Sequence, residues 1–113
     1  MLCYTVRCEF GEDAGEVALD WVDWLQHEHV ADVIKAGASG AEIVRMDGER
    51  VAYEIRYRFP SRSAFEVYER DRAPQLRGEG LARFPLELGL QYSRTVGEVV
   101  SRHEGEPSSR ADG

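Results

Sequence analysis

From Leu2 to Phe10 the chain alternates, with Leu2, Tyr4, Val6, Cys8 and Phe10 separated by Cys3, Thr5, Arg7 and Glu9. A period of two is that of a half-buried strand. Gly11 to Gly15 reads as a turn, with Asp13 the expected helix cap and Glu16 three residues on, at capping-box spacing. The period then changes. Between Glu16 and Gly37 a step of about 100° per residue gathers Ala18, Trp21, Val22, Leu25, His29 and Ala36 on one stripe, with Trp24 at its margin. Both tryptophans and two of the three histidines lie on this predicted helix. Val30 and Ile34 fall off the stripe, which predicts a kink or a separate short turn beyond His29, and Gly37 is placed to end the element.

Two further strands are predicted over 42–46 and 51–59, joined at Asp47-Gly48 by a tight hairpin turn of the kind that needs φ > 0. Val51, Tyr53, Ile55, Tyr57 and Phe59 share one face of the second of these, and Ala52, Glu54, Arg56 and Arg58 the other. Pro60 stops the strand, and Ser61 or Ser63 caps a helix that turns Phe65 and Tyr68 inward. Pro74 divides this second helical region in two. Leu76, Leu81 and Phe84 are the expected apolar contacts of the second piece. A last strand follows Pro85, from Leu86 to Val96, with Leu86, Leu88, Leu90 and Tyr92 on one side. Residues 101–113 lack periodic apolar positions and are expected to form a disordered tail after a single domain of residues 1–100.

The order strand, helix, strand, strand, helix, strand is the split βαβ plan, an α+β fold with a four-stranded antiparallel sheet, strands one and three at its centre. One face then carries the apolar series and supports the helices. The other presents Thr5, Arg7, Glu9, Glu54, Arg56, Arg58, Glu87, Gln91 and Ser93, and Arg7 and Glu9 are placed to pair with strand three.

Composition narrows the function classes. The 113 residues carry a formal charge of −7, a sign that repels phosphate backbones, so nucleic acid is not an expected partner. Lys35 is the only lysine among 14 basic residues. Cys3 and Cys8, about 16 Å apart along an extended strand, are too distant to bridge, which suits a reducing compartment. The segment from Met1 to Phe10 has neither the apolar run of a signal peptide nor that of a membrane span, so the expectation is a cytoplasmic protein with no membrane partner.

The blocks WVDWLQHEHVADVIKAG and VAYEIRYRFPSRSAFEVYERDRAPQLRGEGLARFP, with their flanking strands, cover the chain to about Val100. In content and spacing they resemble a bacterial domain-of-unknown-function family within the dimeric α/β-barrel superfamily of ferredoxin-like folds. The resemblance implies a homodimer whose two sheets face each other with helices outside. Some relatives in that superfamily are cofactor-independent monooxygenases, isomerases or haem-degrading enzymes. In such families a proline commonly stands two positions after the helix-one histidine; here Ala31 occupies that place, and the bend is expected to be softer.

His29 is the sharpest candidate for chemistry, because an imidazole on an apolar stripe is placed for a displaced pKa. The plainer reading is a core histidine bonded to a carbonyl or a tyrosine. His27 lies about 200° round the helix and is not placed to share a metal with it. Trp21, Trp24, Tyr4, Tyr53, Tyr57, Tyr68 and Tyr92 are candidates to line an aromatic pocket, though a helix-on-sheet layer uses such residues as core in any case. Arg45 is expected at a sheet edge. No phosphate loop, Ser-His-Asp signature or zinc pattern occurs, and neither a metal nor a cofactor is expected. The leading reading is a dimer that binds a small apolar or aromatic ligand between helix and sheet through Trp21, Trp24, His29, Tyr53 and Tyr57. The alternative is an enzyme like the cofactor-independent monooxygenases or isomerases, with His29 moving a proton; a purely structural or interaction module is the third.

Overall fold

The computed structural model describes residues 1–105. Its elements are β1 (Leu2–Phe10), α1 (Gly15–Trp24), a π-turn (Leu25–His29), α2 (Val30–Lys35), β2 (Gly40–Arg45), β3 (Ala52–Phe59), α3 (Arg62–Asp71), α4 (Ala73–Arg83), a 3-10 turn (Leu86–Leu88) and β4 (Leu90–Glu98). The four strands form one antiparallel sheet in the order β2-β3-β1-β4, the expected ferredoxin-like plan.

Strict alternation in β1 and β3 sets the register. Tyr4 lies opposite Tyr57, Val6 opposite Ile55 and Cys8 opposite Tyr53, so all six side chains point to one face. There they are buried under the helices, with Phe10, Trp21, Leu25, Phe65 and Leu76 completing the core. Rings hold this layer together, as in the edge contact of Phe10 with Trp21 at 5.3 Å and the tilted pair Tyr4 and Phe65 at 5.0 Å. On the reverse face, Arg7 meets Glu54 across the strands at 3.3 Å, the cross-strand pairing that the alternation implied, and Arg56 meets the same carboxylate from within β3 at 3.0 Å. Arg45 is exposed on the edge strand β2.

Helix boundaries follow local chemistry. Gly37 adopts φ +133°, and the amides of Gly37 and Ala38 return to the carbonyls of Ile34 and Val33, a Schellman closure. Ser61 caps α3 by accepting the Ala64 amide at 3.1 Å, and Pro74 sits in the first turn of α4.

Four local expectations are corrected. Asp13 does not cap α1; Ala14 holds that position with no side-chain bond. The β2–β3 connection is longer than a two-residue turn, because Met46 already pairs with Ala52 and the loop runs over 47–51. Gly48 has positive φ there but Asp47 does not, so the paired conformation of a type I′ turn is absent. Leu86 and Leu88 do not belong to the last strand: they form the 3-10 turn and are exposed, and Gly89 at φ +102° redirects the chain into β4. Leu81 is likewise exposed rather than core, although it borders the chamber described below. Residues 101–105 have no helix or strand, and the rest of the expected tail, 106–113, lies outside the described residues.

Candidate functional site

The first helix does not run through as a single α-helix. At Leu25–His29 it widens into a π-turn, in which the Val30 amide reaches back five residues to the Leu25 carbonyl. Residues 24 and 29 would stand about 140° apart on an α-helix. Here the indole of Trp24 and the imidazole of His29 stack, 4.6 Å between centroids and 24° between planes. Gly80 of α4 makes room for this pair: a Cβ on it would lie 3.2 Å from the Trp24 ring.

Beneath the stack is a cavity of about 50 Å³. Tyr4, Val6, Ile55 and Tyr57 form its floor on the sheet, and Trp21, Trp24, Leu25 and His29 its wall on the first helix. Tyr68, Leu76, Arg77 and Gly80 close it from α3 and α4, and Tyr92 and Arg94 from β4. Trp24 and His29 also border an open groove of about 520 Å³, whose other walls are Glu28, Asp32, Glu79, Ala82 and Arg83. Arg83 and Glu28 pair at 3.3 Å beside it. The stacked pair thus separates an inner chamber from an outer groove.

Electrostatics follow from burial. Burial lowers the His29 pKa below the ordinary histidine value; Arg94 pushes the same way and Asp32 opposes, so the ring is neutral at pH 7. Tyr68 and Tyr92 are each pushed up to about 12, first by burial, and Tyr57 is raised further for the same reason. Burial also pushes the Cys8 thiol up to about 12, which leaves it protonated and inert. Among the described residues the His29 ring nitrogens make no hydrogen bond to the protein, unlike those of His27, which is exposed and bonds the Asp23 carbonyl at 2.8 Å. The Trp21 indole donates to the Tyr92 hydroxyl at 2.9 Å, and Arg77 donates to the Tyr4 hydroxyl at 3.0 Å and to Glu69 at 2.7 Å.

Of the residues singled out in the sequence, the fold places Trp21, Trp24, His29 and Tyr57 around this chamber. Tyr53 is not part of the lining; it is buried one register step away, edge-on to Phe10 and beside Trp21. Sequence reasoning missed Arg77 and Arg94. Arg94 follows Leu90 and Tyr92 in the same alternation, which is the signal that would have found it. Among the described residues no three His, Cys, Asp or Glu side chains converge as a metal site.

Residues 1–95 match the family described as "Domain of unknown function (DUF4286)". The chain belongs to this family. Solved structures similar to this DUF4286 chain share its fold at low identity. A dimeric ferredoxin-like protein from an uncultured marine organism is 17% identical, with TM-score 0.65 over 90% of this chain and 97% of its own. MhuD, in a variant with two manganese protoporphyrin IX molecules bound per active site, is 18% identical, with TM-score 0.64 over 93% and 100% of the two chains. An antibiotic biosynthesis monooxygenase is 12% identical, with TM-score 0.58 over 89% and 100%. No curated protein matches in sequence. No helix among the described residues is long and apolar enough to cross a membrane.

Proposed function

We propose that this DUF4286 chain is a cytoplasmic homodimer, built on a domain of residues 1–100, that binds a small aromatic ligand between its first helix and its sheet. The stacking of His29 on Trp24 between chamber and groove carries this reading. An aromatic wall offers a ring both apolar area and edge or face contacts. The chamber holds only a few waters' worth of space, well below the several hundred Å³ of a drug-sized site. At about a third of the ~150 Å³ that holds a benzene ring, the chamber admits a single ring only as the exposed Leu81 and Arg94 at its rim yield, and the remainder of a larger ligand lies in the groove. A porphyrin exceeds the chamber, and the reading involves no cofactor.

Dimerisation is supported by the mixed-charge reverse face of the sheet and by the dimeric ferredoxin-like neighbour. A second reading is favoured by one observation: His29 is neutral, and its unprotonated ring nitrogen has no protein donor and can accept a proton at the chamber mouth. On that reading the protein is an enzyme of the cofactor-independent monooxygenase or isomerase kind. The deciding experiment incubates wild type and His29→Ala with a panel of phenols and quinones, following both binding and turnover. Saturable binding without turnover supports the binding module; turnover abolished by His29→Ala supports the enzyme; no binding to either protein contradicts both.

A further inference from the structure

On a chain with net charge −7, the chamber lining contains two arginines and no aspartate or glutamate. Arg94 lies on the helix-facing side of β4, opposite Val6, with its guanidinium carbon 5.3 Å from the centroid of the Tyr92 ring. Among the described residues no carboxylate lies within ion-pair distance of it, whereas Arg77 is held by Glu69. It lies at the exposed rim of the chamber, and its charge bears on His29, Tyr68, Tyr92 and Cys8. Arg77 contributes a second unfilled donor. Its Nε is buried without a hydrogen-bond partner, and such a group is costly unless something accepts from it.

Resting on the binding role above, we propose that the ligand is an aromatic acid, its ring among Trp21, Trp24 and Tyr57 and its carboxylate held by Arg94, with Arg77 Nε the additional donor. The guanidinium of Arg94 offers a planar, two-pronged match to a carboxylate, and a paired charge at the edge of an apolar layer discriminates strongly against a neutral isostere. The outer groove, bordered by Glu28, Asp32 and Glu79 and by Arg83 paired with Glu28, offers a carboxylate no unpaired cation, so the complementary charge lies at the chamber's arginines.

The test titrates wild type, Arg94→Gln and Arg94→Lys with benzoate and 2-naphthoate and with the uncharged benzamide and 2-naphthamide, read by tryptophan fluorescence and calorimetry. Arg94 is exposed, so both variants are expected to fold, and far-UV circular dichroism verifies it. The expected result is an acid-over-amide preference of at least about tenfold in wild type, kept in part by Arg94→Lys and reduced below about threefold by Arg94→Gln. Acids and amides binding wild type equally would overturn this inference while leaving the aromatic site standing, as would a preference that survives Arg94→Gln. Failure of all four compounds to bind at millimolar concentration would overturn both.

Discussion

Trp24 and His29, five residues apart in sequence, lie face to face at 4.6 Å because the helix between them makes a π-turn. Without that local widening the imidazole would leave the indole and turn away from the chamber. One irregular turn therefore places the only histidine of the lining between the chamber and the outer groove.

Burial of that imidazole has a pH consequence. Its folded-state pKa is depressed, so between that value and the ordinary one near 6.5 the unfolded chain binds more protons than the folded chain. Stability contributed by the neutral ring is complete above the unfolded pKa and is lost as pH falls through that window. We expect the His29 ring resonance to titrate below 6.5. Urea unfolding from pH 7 to pH 5 is expected to show a smaller loss for His29→Gln than for wild type. An unshifted titration would contradict the burial.

Glycines 78 and 80 on α4 give opposite expectations. A Cβ at residue 78 meets nothing within 4 Å, so Gly78→Ala should stabilise by about 0.5–1 kcal/mol through helix propensity. At residue 80 the same methyl presses on Trp24, held between His29 and Phe84, and overpacking of about 1–3 kcal/mol cancels or exceeds the gain. Chemical denaturation of the two variants checks the contrast, with a shifted tryptophan emission expected for Gly80→Ala alone.

The Trp21 indole is buried and donates to Tyr92. Tyr92→Phe leaves that N–H without an acceptor, and the expected loss is about 1–3 kcal/mol by urea unfolding. A loss under about 0.3 kcal/mol would mean that the bond contributes nothing net.

On the reverse face of the sheet Glu54 sits between Arg7 and Arg56. Glu54→Arg would crowd three guanidinium groups on adjacent strands. If this face joins two subunits, sedimentation at micromolar concentration should give a dimer for wild type and a monomer for the variant. A monomeric wild type would remove the homodimer.

How far the sequence showed this in advance differs from element to element. Strands β1 and β3 were legible residue by residue, since a period of two on a sheet buried on one side leaves no second register. The break beyond His29 was legible as a phase slip, although not as a π-turn. Leu86 and Leu88 imitated a strand because a leucine on every second residue also fits a short turn; the deciding residue, Gly89, carries no side chain for a pattern to register. Trp24 and His29 were found as apolar-stripe residues. Arg94 was passed over because the search for core positions followed apolar side chains and ended the alternation at Tyr92, although the next residue of that series faces the same layer. The pairing of Arg77 with Glu69 depends on how α3 and α4 pack, and no local spacing encodes it.

Indole N–H chemical shifts during titration with 2-naphthol test the site most directly, because Trp21 and Trp24 are the only tryptophans and both belong to the chamber wall. Saturable shifts of both indole resonances, with the Thr5 and Glu54 amides of the opposite sheet face unmoved, are the predicted result. Shifts confined to the opposite face, or none at millimolar naphthol, would contradict a ligand site between helix and sheet.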